Sequence, residues 1–242
     1  MTRIYQPDVL SAHSTLVLNE SASHHLARVL RASIGDKITV FNGQGGEYSA
    51  IIRRIDKKTV TVDLLAFSPR EVESPLDMVL AQGIARGEKM DYLIQKAVEL
   101  GVNEIIPLLT ERCNVKLDVE RSEKRLQHWQ SVVISACEQS GRNRVPVVHP
   151  PQSLEKGLSL IKADHQLVLS PHEGISLKKL AISAPARVIL LVGPEGGFSP
   201  REMQWAVQSR FIPLNLGPRV LRTETASVAA ITALQSVYGD MG

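Results

Sequence analysis

The chain has 242 residues, 43% hydrophobic and 4% aromatic, with a net charge of +3. That allows one large or two modest domains with real cores, while no apolar run approaches the length needed to cross a bilayer. So few aromatics argue against a single-strand binder built on stacking platforms.

The charge excess lies in the first segment. Residues 1–70 carry nine Lys/Arg against six Asp/Glu, and residues 71–242 carry nineteen of each. Such a bias is compatible with a polyanionic partner without proving one. Cys113 and Cys137 form no CxxC, so neither a disulfide framework nor a zinc site is expected. The N-terminal stretch MTRIYQPDVL shows no secretory pattern. A reducing cytoplasm is the expected compartment.

The first seventy residues read as mostly β. Runs at 37–41, 47–55 and 59–65 are separated by the turn signals NGQGG and DKK, which is hairpin grammar. Before them, ESASHHLARVLRASIGD reads as a short helix with Leu26, Val29 and Leu30 on one side. Arg28 and Arg31, three apart, are expected on one helix face, as an ordinary solvated face or an RNA-phosphate contact. SPREVESP, residues 68–75, is the linker candidate, and the domain boundary is placed at 72/73.

From residue 76 the pattern changes. LDMVLAQG is a short apolar run. In GEKMDYLIQKAVELG, helical spacing joins Met90, Leu93, Ile94, Ala97 and Leu100, with Gly101 as the stop. Lys96 and Glu99 share that helix as an i, i+3 pair. NEIIPLL is the next strand. A helix over about 118–140 then repeats Leu126, Trp129, Val133 and Cys137 on one stripe. VPVV, HQLVL and RVILLVG are further strands, with a helical SLEKGLSLI between the first two. The last two strands are continuously apolar, as in a parallel sheet covered on both faces. Strands alternating with helices make an α/β domain.

VGPEGGFSPRE fits neither common phosphate motif. A P-loop needs Lys-Ser or Lys-Thr after its glycines, and GxGxxG fails because Gly193, Gly196 and Gly197 are spaced G-x-x-G-G around Pro194. Ser199 is the expected N-cap, with Pro200 in the first turn and Glu202 completing a capping box. The loop then offers backbone with little side-chain bulk, which suits an adenine edge or ribose. A tight turn with no ligand is the plain alternative.

In FIPLNLGPRVLRTETASVAAITALQ, a broken strand leads into a helix that is apolar nearly all round from Ala226 to Val237, and such a helix is expected to be buried, here between domains or subunits. Thr223 or Thr225 can cap it, and Glu224 suits its positive end. The charged cluster Arg219, Arg222 and Glu224 therefore abuts a buried helix start.

Together, VGPEGGFSPRE and LGPRVLRTETASVAAITAL closely resemble the C-terminal signature of the SPOUT methyltransferases, and more narrowly the bacterial 16S ribosomal RNA uracil-N3 methyltransferase family (RsmE). RGEKMDYLIQKAVELGVNEIIPLLTERC, ACEQSGRNRVP, HLARVLR and GDKITVFNG resemble its other motifs, in order over essentially the whole chain. The resemblance implies a small PUA-like β-barrel over 1–72, binding RNA. It implies an α/β domain over 73–242, a SPOUT-type parallel sheet with a C-terminal trefoil knot, binding S-adenosylmethionine. The expected partners are 16S rRNA in the small ribosomal subunit and a second copy of the chain, with neither metal nor membrane.

Carried onto this sequence, the cofactor would lie between three loops. The first holds Leu169, Pro171 and His172; the second runs through Gly193, Pro194, Glu195, Gly196 and Gly197. The third holds Leu216, Gly217, Val220, Leu221, Arg222, Thr223, Thr225 and Ala226. Uracil N3 is a poor nucleophile until its imide proton leaves, so a base or charge-stabilising cations are needed. Arg222 is the first choice for the cation; Glu138, Glu195 and Glu224 stay open as bases. Arg28, Arg31, Arg86, Lys89, Arg142 and Arg144 are the expected RNA contacts. Another SPOUT activity, such as ribose 2′-O methylation, and a non-catalytic ribosome assembly factor are the competing readings.

Overall fold

The computed structural model describes residues 1–113, 118–159 and 161–242. They form two compact units, residues 1–73 with 134–145, and residues 74–133 with 146–242. The first unit thus takes in a segment that a linear division at 72/73 leaves to the second.

Unit one contains β1 (Thr2–Tyr5), β2 (Thr15–Val17), α1 (Glu20–His24), β3 (Lys37–Phe41), β4 (Glu47–Ile55) and β5 (Val60–Ser68). The sheet order is β1-β3-β4-β5-β2, with β1 parallel to β3 and the other ladders antiparallel. Every strand and α1 contribute to one core, including Ile4, Leu26, Ile38, Ile52 and Val62. β1 and β2 went unread because four and three residues are too short to show a period.

The expected pairing of Arg28 with Arg31 needs correction. After α1, the chain widens into a π turn over His25–Val29, closed by Leu30 N–H on the His25 carbonyl at 3.0 Å. Arg31 then has φ 51°, in the left-handed region. The α-helical i, i+3 relation does not hold, although both side chains are exposed.

Polar contacts fasten segment 134–145 into this unit. Arg3 Nη2 donates to Asn143 Oδ1 at 2.6 Å, and Asn143 Nδ2 donates to the Arg70 carbonyl at 2.6 Å. Tyr5 N–H donates to Glu138 Oε1 at 2.9 Å. Arg142 pairs through two nitrogens with both oxygens of Glu73. The expected linker 68–75 is equally engaged, with Glu71 Oε1 accepting Gly46 N–H at 2.6 Å. Arg142, expected as an RNA contact, is 3% exposed and belongs to the interior of this unit.

Unit two contains β6 (Leu76–Gly83), α2 (Glu88–Glu99), β7 (Val102–Leu109), most of α3 (Val119–Ser140), β8 (Val147–Val148), β9 (Gln152–Ser153) and α4 (Leu154–Ser159). It continues with β10 (His165–Leu169), β11 (Ile175–Ser176), β12 (Ala186–Val192), α5 (Pro200–Gln208), β13 (Ile212–Asn215) and α6 (Thr223–Tyr238). Leu160, inside the expected helix SLEKGLSLI, lies outside the described residues. The strand order is β11-β13-β10-β12-β6-β7-β8, with β9 beside β7, and all ladders are parallel.

β6 and β12 are buried along almost their whole length, the signature of strands covered on both faces. Val79, Ala81, Ile189 and Leu191 pack with Leu154, Leu158, Ala206 and Phe211. Met78, Leu80, Val188 and Leu190, one residue out of phase, face the other side. There α6 lies against α2 and β12.

α5 starts as expected. Ser199 Oγ accepts Glu202 N–H at 3.2 Å, and Glu202 returns the contact to Ser199 N–H at 2.8 Å. α6 differs twice. Arg222 is its N-cap, without a side-chain cap bond, and Thr223 is already helical. Its buried face is Thr223, Ser227, Ala230, Ile231, Leu234 and Gln235, whereas Val237 is 58% exposed. Apolar composition all round therefore does not mean burial all round within one chain.

Candidate functional site

The carboxyl ends of β10, β12 and β13 open onto one cleft of about 1080 Å³ within unit two, the end at which parallel sheets generally bind ligands. Leu169, Pro171 and His172 line its first wall. Gly193, Pro194, Glu195, Gly196 and Gly197 line the second. Leu216, Gly217, Val220, Leu221, Arg222, Thr223 and Ala226 line the third. Thr225 is the one expected cofactor residue off the cleft, and it is exposed. On a helix Thr223 and Ala226 share a face and Thr225 does not.

The glycine loop is held from several sides. Gly193 O accepts the Thr223 hydroxyl at 2.6 Å, and Gly196 O accepts Arg112 Nη1 at 3.1 Å. Glu195 Oε1 accepts Arg86 N–H at 3.1 Å and faces Lys89 Nζ at 3.4 Å. Pro194 O accepts Gly197 N–H at 2.9 Å, and Gly197 has φ 66°, a conformation that favours glycine. A Cβ at Gly83 would stand 2.4 Å from Pro194 Cδ, so the loop rests directly on the end of β6. The first and third walls are joined by Asn215. Its Nδ2 donates to Pro171 O at 3.1 Å, and its Oδ1 accepts Gly217 N–H at 2.8 Å.

Among the catalytic candidates, Arg222 and Glu195 line the cleft, while Glu138 and Glu224 do not. Arg222 is exposed there and has no carboxylate partner among the described residues. Burial pushes the Glu195 carboxyl up, but the Arg86 amide, its own amide and Lys89 outweigh it and hold the group below its ordinary value. That makes Glu195 a poor proton acceptor. Burial raises Glu138, against the Tyr5 amide and the charges of His25 and Arg3. It nonetheless belongs to unit one, bound to a backbone N–H. Glu224 has one buried carboxylate oxygen without a partner among the described residues.

Of the expected RNA contacts, Arg28, Arg31 and Arg144 are exposed in unit one, and Arg86 and Lys89 stand beside the glycine loop in unit two. Sequence reasoning missed several lining residues: Glu173, Arg112, Val192, Met203 and Leu214. Val192 and Leu214 lie at strand carboxyl ends, a position the binding rule for parallel sheets could have flagged. Arg112 gave no such signal, because it reaches the loop only through the tertiary fold. Among the described residues no cluster of His, Cys, Asp or Glu could hold a metal ion, and no helix is long and apolar enough to cross a membrane.

The RNA methyltransferase domain family matches residues 72–235, and the RNA methyltransferase PUA domain family matches residues 18–65. The chain is 39% identical over 240 residues to the ribosomal RNA small subunit methyltransferase E of Buchnera aphidicola from Schizaphis graminum, covering 99% of this chain and 97% of that one. A putative methyltransferase from Legionella pneumophila, solved with bound SAM, is 42% identical with TM-score 0.96, over 99% of this chain and 98% of that one. The ribosomal RNA small subunit methyltransferase E of Neisseria gonorrhoeae, solved bound to S-adenosyl methionine, is 39% identical with TM-score 0.93, over the full length of both chains. This chain, with its three-walled cleft at the carboxyl ends of a parallel sheet, belongs to the ribosomal RNA small subunit methyltransferase E family of RNA methyltransferases.

Proposed function

We propose that the protein methylates N3 of a uridine in small-subunit ribosomal RNA, using S-adenosylmethionine. The observation that carries the reading is the cleft, whose three loops bring together fifteen of the residues expected at the cofactor. It fits the group chemically. Gly193, Gly196 and Gly197 keep side-chain bulk in the loop low, and Phe198, Met203 and Leu214 give an apolar lining. The loop has neither the Lys-Ser/Thr of a P-loop nor the GxGxxG spacing of a pyrophosphate turn.

When bound, S-adenosylmethionine supplies an electrophilic methyl group on a sulfonium. The chain's own part is alignment and charge. Uracil N3 must lose its imide proton to form the new N–C bond, and negative charge develops on the flanking oxygens. Arg222, with Arg219 on the same loop, is suited to stabilise that charge. Glu195, its carboxyl held below the ordinary value by its donors, serves to fix the loop rather than to take the proton.

The same reading assigns RNA contact to Arg28, Arg31 and Arg144 of unit one and to Arg86 and Lys89 beside the cleft. The resemblance to the SPOUT fold also implies that the three loops form its trefoil knot and that α6 packs in a homodimer, and the two cysteines, with no CxxC between them, fit a reducing cytoplasm. The half-exposed apolar side of α6, with Val237, supports the dimer. A monomer by light scattering would overturn it.

The decisive test uses small subunits from a strain lacking the gene, incubated with the protein and S-adenosylmethionine. Nucleoside mass spectrometry should detect N3-methyluridine only after incubation. A ribose-methylated product, or none, would overturn the assignment.

A further inference from the structure

We propose that Gln82 is a positioning residue that sets the cofactor cleft from behind, by locking the glycine loop onto the first turn of α6. This rests on the cleft being the S-adenosylmethionine site. Gln82 is fully buried near the end of β6, among apolar neighbours, and does not line the cleft. A carboxamide buried in such a strand costs stability unless it is fully bonded, and Leu would serve the core as well.

Its amide is bonded at both ends. Nε2 donates to Gly83 O at 2.8 Å and to Thr223 Oγ1 at 3.0 Å, with Gly193 O also near at 3.3 Å. Oε1 accepts the Ser227 hydroxyl at 2.7 Å. The carbonyl of Gly83 decides the orientation, because a reversed amide would set two acceptor oxygens against each other. That orientation fixes the next proton. Thr223 Oγ1 accepts from Gln82, so its single hydrogen is free for Gly193 O, where it makes the 2.6 Å bond. The chain of donors runs from Ser227 through Gln82 and Thr223 to Gly193. It ties one cleft wall to another without occupying the ligand's space.

If Gln82 is lost, the Thr223 hydroxyl can turn and both walls loosen, so the cost falls on cofactor binding rather than RNA binding. In Gln82→Leu, titration calorimetry should show S-adenosylmethionine affinity falling about tenfold, the effect expected of one buried hydrogen bond. KM for the cofactor should rise in parallel and KM for RNA stay unchanged. Thr223→Val should lose a similar amount, and Thr223→Ser should recover most of it. The double variant Gln82→Leu with Thr223→Val should lose less than the sum. Should Gln82→Leu fail to fold, Ser227→Ala, which leaves Gln82 Oε1 without its donor and loosens the anchored amide, should still weaken the cofactor about threefold.

A lower melting temperature in these variants with wild-type cofactor affinity would leave Gln82 a purely structural residue and overturn the proposal. Equal losses for cofactor and RNA would do the same. A wild-type protein that fails to bind S-adenosylmethionine would instead bring down the cofactor reading itself, and this proposal with it.

Discussion

Arg142 and Arg222 look alike in the sequence. Each sits in a short polar stretch, SGRNRVP and RVLRTETA, next to a helix end. In the folded chain, Arg142 is 3% exposed and gives two nitrogens to the carboxylate of Glu73. Arg222 is exposed, lines the cleft and has no carboxylate partner among the described residues. The first cation is matched within the fold, and the second is left for a ligand. A turn arginine is thus read by whether the fold hands it a counter-charge.

The largest expected effect breaks the matched member. Arg142→Ala strands Glu73, whose side chain is only 14% exposed, and removing one partner of a buried pair typically costs about 3 kcal/mol or more. Urea denaturation should show that loss, while the protein that remains folded keeps its cofactor affinity. A cost under about 1 kcal/mol would return Arg142 to the surface class.

Next comes the unmatched member. Arg222→Ala should lower kcat about 100-fold, the size of one lost transition-state donor, with little change in melting temperature. Single-turnover kinetics beside calorimetry test this, and an equal loss in turnover and cofactor affinity would remove its assigned role.

The smallest effect concerns pH. Burial pushes Glu47 up, but Arg3, Arg70 and Asn143 outweigh it and hold the carboxyl below 4.5. A depressed folded value means that this contribution is present above the unfolded value and is lost as pH falls through the folded one. Glu47→Gln should therefore flatten the acid limb of the stability curve and leave the cleft's cofactor affinity at neutral pH alone. An unchanged acid limb would show that the contacts around segment 134–145 do not depend on that charge.

Much of the fold was legible along the chain, for physical reasons. β3, β4 and β6 span the runs read from apolar pattern and turn residues, and the capping box of α5 is a local device that four residues specify. How much of α6 one chain buries was not legible, because composition reports what a surface prefers and not whether this chain or a second copy supplies the cover. The cleft was legible through a resemblance, since its motifs lie in three separate stretches that no local rule connects.

What the sequence by itself determined were the elements, the glycine loop's low side-chain bulk and the parallel character of the second sheet, all of which follow from neighbours within a few residues. The tertiary structure alone decided that 134–145 belongs with the first unit, that Arg142 faces Glu73, and that Gln82, Thr223 and Gly193 share one hydrogen-bond chain. Those partners lie 30 to 141 positions apart, where neither periodicity nor propensity carries information. Only the packing of strands beside one another brings them within reach.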